Sequence, residues 1–137
     1  MKTHTTNYIN TLIAIADDCP VSSAEKPPVK EGKRSVANIQ FDLIGENPYK
    51  YTSDDVIFQV YAEKNDLTKN EYAAAREQFF SKGQPCLRTS PLTKRYGWGV
   101  HSDEKGRIAL YACDSKDYQR LIRDASLKVV KAMKSGK

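Results

Sequence analysis

The stretch from Lys82 to His101 concentrates the side chains that could do chemistry, and it reads KGQPCLRTSPLTKRYGWGVH. Its guanidinium and ammonium groups can neutralise a carboxylate or phosphate, and its hydroxyls can donate hydrogen bonds to the same group. Its aromatic rings can stack on a ligand. We therefore predict that this stretch binds an anionic ligand or partner. The candidate ligand-binding residues are Arg88, Thr89, Ser90, Lys94, Arg95, Tyr96 and Trp98.

Cysteine-dependent catalysis is the first alternative, with Cys86 as nucleophile and His101 as base. A nucleophilic thiol needs a lowered pKa and a neighbouring base. Arg88, Lys82 and Lys94 could stabilise a thiolate, and His101 could serve as base if the loop folds back. However, Leu92 stands six residues after Cys86, where a phosphate-cradling Cys-x5-Arg loop carries arginine. Because a free cysteine is more often a small buried hydrophobic residue, we favour a protein without catalytic activity.

Nucleic-acid binding is the second alternative. Two helices joined by a tight turn and later followed by a β-hairpin are typical of a winged helix. The tip of the hairpin carries Lys105 and Arg107. Against this alternative, the exposed face of the second helix is nearly neutral, with Lys69 and Arg76 offset by acidic residues. The long separation between that helix and the hairpin also disfavours a compact wing.

Metal and cofactor sites are not predicted. The cysteines Cys19, Cys86 and Cys113 lie far apart, without the close pairs that mark zinc sites. No acidic cluster has calcium-loop spacing, and no glycine-rich phosphate loop occurs. Three widely spaced cysteines are also typical of a reducing compartment, so we expect a cytoplasmic protein. No signal-peptide pattern or membrane-spanning apolar run is visible, and no membrane contact is expected.

Length and charge indicate the class of protein. A chain of 137 residues fits one domain and can bury roughly 68–70% of its unfolded surface without disulfides or metals. Residues 1–81 hold 9 Lys and Arg against 12 Asp and Glu, whereas residues 82–137 hold 13 against 5. A basic C-terminal part suits an anionic partner, because phosphate contacts release counterions. Net charge of this size is also normal for solubility alone. The sequence predicts no particular oligomeric state.

The elements that position this stretch follow from hydrophobic periodicity and capping signals. Apolar residues alternate over 8–15 and 39–44, which predicts two strands. Helical spacing after a cap at Thr52 or Ser53, and again after a capping box that begins at Thr68, predicts a pair of helices. Residues 21–34, with adjacent prolines and no period, are predicted to form a mobile loop.

The C-terminal part is predicted to contain a long ordered loop over 84–98, a β-hairpin and two helices. The hairpin pairs Trp98 with Ala112 because Gly106 supplies the positive φ of a three-residue loop. This register leaves Gly99 on the polar face, where Tyr111 is predicted to cover it. The two helices are predicted over 114–125 and 126–137. Strands and helices in separate runs favour an α+β fold, with a mainly antiparallel sheet of about four strands and helices packed on it.

Three strings carry a resemblance to a known family: TTNYINTLIAIADDCPV, VANIQFDLIGENPYKYTSDDVIFQVYAEK and FSKGQPCLRTSPLTKRYGWGVH. From about Thr3 to Met133 the chain resembles a family of small bacterial proteins known only as a domain of unknown function. The resemblance implies a bacterial, single-domain, cytosolic protein. It brings no activity, cofactor or catalytic residue, so the preferred function is still a non-enzymatic module that binds an anion through the 82–101 loop, beside the polar face of the hairpin.

Overall fold

A computed structural model describes residues 4–135. The strands are β1 (Thr11–Ala14), β2 (Trp98–Ser102), β3 (Ile108–Ala112) and β4 (Lys128–Lys131). The helices are α1 (Val36–Gly45), α2 (Ser53–Lys64), α3 (Tyr72–Phe79), α4 (Pro91–Lys94) and α5 (Lys116–Arg123). Short 3-10 turns span Lys69–Glu71 and Leu87–Thr89. In the part of the chain that is described, no helix has both the length and the apolarity needed to cross a membrane.

The four strands form one sheet in the order β3-β2-β1-β4. Strand β1 lies in the interior of the sheet, antiparallel to β2 and parallel to β4. The α+β class and the four-stranded sheet are therefore confirmed. The sheet is mainly antiparallel, as predicted, and it is mixed because β4 runs parallel to β1.

The hairpin formed by β2 and β3 has the predicted register. Trp98 lies opposite Ala112, and Val100 lies opposite Leu110. Gly106 has a φ of +80° in the connecting loop, a conformation that glycine adopts without strain. A shift of one residue would turn Val100 away from the core, so the alternation of apolar residues was sufficient to predict the pairing.

The capping signals also predicted their helices correctly. Thr52 accepts a hydrogen bond from the Asp55 N–H, and the Asp55 carboxylate accepts one from the Thr52 N–H. Before α3, the Glu71 carboxylate accepts the Thr68 N–H at 2.7 Å and the Thr68 hydroxyl at 3.1 Å. Ser115 caps α5. Each pair satisfies backbone N–H groups that the first turn of a helix leaves free.

The strand predicted over 39–44 is wrong, because this segment lies within helix α1. Ser35 and Asn38 form a capping box that begins the helix. Ala37, Gln40 and Ile44 are buried on one helical face, at the spacing of an α-helix rather than of a strand. Over only six residues, the alternation of Ile39 and its neighbours was compatible with both periods.

The helix predicted over 126–137 is also wrong as far as the structure describes it; residues 136 and 137 lie outside the described part. Residues 128–131 form strand β4, in which Val129 pairs with Leu12 and Val130 with Ile13. β-Branched valines fit a pleated strand better than a helix. The pairing partner is more than a hundred residues away, which a local pattern does not reveal.

Helices cover both faces of the sheet. Helices α1, α2 and α4 share a core with Ile13, Val100 and Ile108. On the opposite face, Tyr118 of α5 packs against Leu12. Alternate residues of β1 thus serve two separate cores, because successive side chains of a strand point to opposite faces.

At one end of each outer strand, another part of the chain bonds to the edge of the sheet. Next to β3, the Tyr49 N–H donates to the Ile108 carbonyl at 2.8 Å, and the Ile108 N–H donates to the Tyr51 carbonyl at 2.9 Å. Next to β4, the Arg88 Nε donates to the Lys131 carbonyl at 2.7 Å, and the Met133 N–H donates to the Arg88 carbonyl at 2.8 Å. These contacts satisfy edge groups that would otherwise template pairing with another chain.

Candidate functional site

The 82–101 stretch is largely a structural connection. It forms a 3-10 turn and helix α4, and its residues Leu87, Leu92 and Thr93 are buried. The Thr93 hydroxyl donates to the Leu87 carbonyl at 2.9 Å, which closes the turn on itself. Apolar side chains of residues 84–98 pack in the core that contains Ile13 and Val100. These contacts anchor the predicted loop to the rest of the protein.

Most of the predicted hydrogen-bond donors of this stretch are already engaged within the protein. The Ser90 hydroxyl donates to the side-chain oxygen of Gln40 at 2.5 Å in a buried position. The Thr89 hydroxyl donates to the Cys86 carbonyl at 2.7 Å. The Trp98 indole donates to the Glu25 carbonyl at 2.8 Å, and its ring packs edge-on against Phe41. A ligand would therefore have to compete with these bonds.

The predicted cations do not converge on a common ligand position. Arg88 uses its Nε on the edge of β4, as described above. Arg95 is exposed and Lys94 is half-buried, and Tyr96 packs against the main core. None of the hollows described below includes Arg88, Lys94 or Arg95 in its lining.

Cys86 lies at the side of a groove of about 240 Å³ between the stretch, α1 and α2. Its Sγ is 3.7 Å from the Tyr8 hydroxyl. Burial raises the pKa of Tyr8, the contact with Cys86 raises it further, and the nearby Arg88 guanidinium opposes both effects. The walls of the groove are mainly apolar, with Val36, Ile57 and Phe79 among them.

His101 lies on the opposite face of the sheet from Cys86. His101 pairs with Leu12, which packs on the α5 side of the sheet, and directly opposed residues of a strand pair share a face. Cys86 contacts Tyr8, which packs against the core on the other side. The structure therefore does not bring the predicted nucleophile and base together.

His101 belongs instead to a chain of hydrogen bonds with two tyrosines. The Tyr49 hydroxyl is 2.7 Å from His101 Nδ1 and 2.7 Å from the Tyr111 hydroxyl. Tyr49 adopts a φ of +59°, a left-handed conformation that costs about 1–3 kcal/mol for a bulky residue. Burial, followed by the bond to Tyr111, raises the pKa of Tyr49 well above its ordinary value. This arrangement fixes the turn that covers the edge of β3.

Stability should fall in acid because of His101. Burial lowers the pKa of His101 below its ordinary value near 6.5, and Asp103 and Asp124 only partly oppose this. The unfolded chain therefore binds the proton more readily than the folded protein, so stability is fully present above about pH 6.5 and is lost as the pH falls below it. Urea unfolding of the wild type and of His101→Asn at pH 7.5 and 5.5 tests this. The wild type should lose more stability between the two pH values than the variant, and parallel losses would refute the prediction.

A hollow with a volume of about 820 Å³ lies between α2 and α3. Its floor is apolar and includes Val56 and Phe58, both buried. Its rim is polar and includes Lys69, Gln59 and Arg76. The remaining lining residues are Leu43, Tyr51, Asp55, Tyr72 and Ala73.

Sequence reasoning missed this hollow. The sequence places Lys69 and Arg76 on a nearly neutral exposed face, and it does not show that this face borders a hollow. The positions of two charged residues did indicate a contact between the two helices. Asp55 lies in the first turn of one helix, and Arg76 lies on the next helix after a short turn. Neighbouring helices joined by a short turn pack side by side, and the two charges do form an ion pair of 2.9 Å.

Basic residues also line a hollow of about 500 Å³ on α5, namely Lys116, Arg120 and Arg123, with Gln119 and Asp124. All five side chains are exposed on one helix, as on an ordinary solvated face. The β-hairpin does not project as a wing, because β2 pairs with β1 inside the sheet and Gly106 packs close to the Tyr8 carbonyl. The winged-helix alternative therefore gains no support from the geometry.

Comparison with known proteins gives one result. A family model described as a family of unknown function (DUF6157) matches residues 3–137. No curated protein and no solved structure matches the chain. The chain therefore belongs to this family, as the three strings in its sequence indicated.

Proposed function

We propose that this member of the DUF6157 family is a non-enzymatic module that binds a small organic anion in the hollow between α2 and α3. The observation that carries the proposal is the combination of size and lining. A volume of about 820 Å³ lies within the range of roughly 300–1,000 Å³ that is usual for small-molecule sites. An apolar floor with a few polar groups at the rim is the usual composition of such a site.

The anionic character of the ligand follows from the charges at the rim. Lys69 and Arg76 contribute two positive charges, and Asp55 contributes one negative charge. Asp55 is already paired with Arg76. The Asp55 side chain is 36% exposed and the Arg76 side chain is 41% exposed. The Lys69 ammonium remains as the net charge of the rim, which favours an anion.

The absence of a catalytic role is part of the proposal. The hollow is lined by no histidine, cysteine or serine within the described residues. Its carboxylate, Asp55, is held by Arg76 and by the Thr52 N–H, so it is not available as a general base. The alternative that pairs Cys86 with His101 would require two residues on opposite faces of the sheet to meet.

The proposal keeps the binding class predicted from the sequence and moves its location. In the 82–101 loop, Ser90 and Trp98 donate to other parts of the protein, and Thr89 donates to the Cys86 carbonyl within the loop. The hollow between α2 and α3 needs no such rearrangement, because its cations already lie at the rim of an existing concavity.

A nuclear magnetic resonance titration tests the proposal. The full-length ¹⁵N-labelled protein is titrated with 4-phenylbutanoate, octanoate and indole-3-acetate, and the amide shifts are mapped. At least one probe should shift the amides that line the hollow, such as those of Gln59 and Tyr72, with a saturating curve. Shifts confined to other surfaces, or no shifts at millimolar probe, would contradict the proposal.

Two matched variants on α3 sharpen the test. Ala73 lines the hollow and Ala74 does not, and both side chains are exposed. Ala73→Phe should fill part of the hollow and weaken binding by about tenfold or more, because the probe loses the apolar surface that it buries. Ala74→Phe adds the same ring to the same helix and should leave the affinity unchanged. Equal effects of the two variants would place the ligand elsewhere.

A further inference from the structure

The hollow between α2 and α3 also indicates which class of anion it takes, an inference that rests on the function proposed above. The carboxylate in the lining of the hollow is already bonded within the protein. Asp55 Oδ1 is 2.9 Å from Arg76 Nη1, and Asp55 Oδ2 accepts the Thr52 N–H at 3.1 Å. Both oxygens are therefore engaged, and the carboxylate offers little to a cationic ligand.

The Arg76 guanidinium is held in one orientation by its neighbours. Its central carbon lies 5.8 Å from the ring centroid of Phe58 and 5.6 Å from that of Phe80. These rings, together with Asp55, hold the planar group from three sides. Its Nη1 makes the ion pair with Asp55 at 2.9 Å, and within residues 4–135 neither Nε nor Nη2 makes a hydrogen bond.

The remaining donors of Arg76 have the geometry that a carboxylate needs. Nε and Nη2 of an arginine present two nearly parallel N–H groups, which match the two oxygens of a carboxylate. Because the guanidinium is fixed before the ligand arrives, little side-chain entropy is lost on binding. Lys69, at the same rim, adds a second positive charge without fixed direction.

Apolar and aromatic side chains form the surface that would contact the rest of the ligand. Val56 and Phe58 are buried at the floor, and the rings of Tyr51 and Tyr72 line the sides. The Gln59 amide donates to the Tyr72 hydroxyl at 3.3 Å, which holds that ring in place. Aromatic walls of this kind favour a flat or chain-like apolar body.

We infer that the ligand is a carboxylic acid with an aromatic or aliphatic body, whose carboxylate is bound by the free edge of Arg76 and whose body lies on the floor formed by Val56 and Phe58. The carboxylate makes a bidentate contact, and Lys69 supports it electrostatically. The amide and the amine of the same body bind less well, because the amide lacks the charge and the amine carries the wrong one.

The experiment compares three ligands of one shape: 4-phenylbutanoate, 4-phenylbutanamide and 4-phenylbutylamine. Dissociation constants come from the amide shifts of the full-length protein. The acid should bind about tenfold or more tightly than the amide, since hydrogen bonds to a charged group are the stronger ones. The amine should bind more weakly than the amide.

Two arginine variants assign the preference to its residue. Arg76→Gln should reduce the acid-to-amide ratio to within about threefold while the amide still binds, which shows that the hollow is intact. Arg34→Gln is the matched control, because Arg34 is equally exposed, at 42%, and is also paired with carboxylates, Asp42 and Glu63. That variant should keep the full ratio. Lys69→Gln should lower the affinity for the acid by a smaller factor.

The outcomes separate this inference from the proposed function. If the amide binds the wild type as tightly as the acid, the inference fails while the binding module stands. If none of the three ligands shifts the amides of the hollow, and the probes above fail as well, the proposed function fails and the inference fails with it. An acid preference that survives Arg76→Gln would overturn the role given to Arg76.

Discussion

Replacing Leu92 by alanine should lower the free energy of unfolding by about 2–5 kcal/mol, because the side chain is fully buried and its removal leaves a cavity. Leu92 is 0% exposed and belongs to the same core cluster as Ile13 and Val100. Helix α4 is only four residues long, so its position depends on this contact rather than on helix propensity. Urea unfolding followed by circular dichroism gives the change.

Arg95→Ala is the control for this prediction, since Arg95 lies three residues away and is exposed. Its effect should stay within about 0.5 kcal/mol, as is usual for surface substitutions. A large loss at Leu92 with none at Arg95 would show that the segment acts mainly as structure. Similar small effects at both positions would mean that the segment is not anchored as described.

The features of the fold that could be predicted are those that neighbouring residues determine. The register of the hairpin depends on Gly106 and on an alternation that runs through both strands. Helix α2 begins at the Thr52 cap, and the 3-10 turn that leads into α3 begins at Thr68. In each case the physical cause lies within about ten residues, so a pattern in the sequence contains it.

The features that could not be predicted depend on distant partners. Strand β4 exists because Val129 and Val130 pair with β1, far away in sequence. The segment 39–44 was too short to distinguish the two periodicities, and the Ser35 cap with Asn38 as its partner decided for a helix. Short apolar runs carry little information about period, and tertiary contacts override it.

The candidate site depends even more than the fold on contacts between residues that are distant in the sequence. The residue types in the 82–101 stretch suggested a site, but the sequence does not show that Ser90 is bonded to Gln40, fifty residues away. Nor does it show that Arg76 and Lys69 lie at the rim of a concavity. A hollow is a property of the packing between two helices. The position of a concavity therefore could not be predicted from the sequence, and the binding of an anion stays a prediction.

Replacing Gly99 by alanine should also be strongly destabilising, by about 1–3 kcal/mol, because an added methyl group has no room. A Cβ at this position would lie 2.6 Å from the Tyr118 ring and 3.3 Å from the Ile13 carbonyl. Tyr118 is held in place, since it is 4% exposed and its hydroxyl accepts the Ile15 N–H at 3.0 Å. The ring that covers Gly99 is thus that of Tyr118, not that of Tyr111 as the sequence predicted.

Gly45→Ala provides the comparison, because both changes add one methyl group to a glycine in regular structure. At Gly45, the last residue of α1, the new Cβ would lie 3.9 Å from Leu110, an ordinary contact. This variant should be neutral or gain up to about 1 kcal/mol, since alanine favours a helix more than glycine does. Unfolding of both variants in urea gives the difference, which should exceed about 1 kcal/mol. Equal stability of the two variants would show that α5 moves freely on the sheet, and that the close packing of Tyr118 on β2 does not hold in solution.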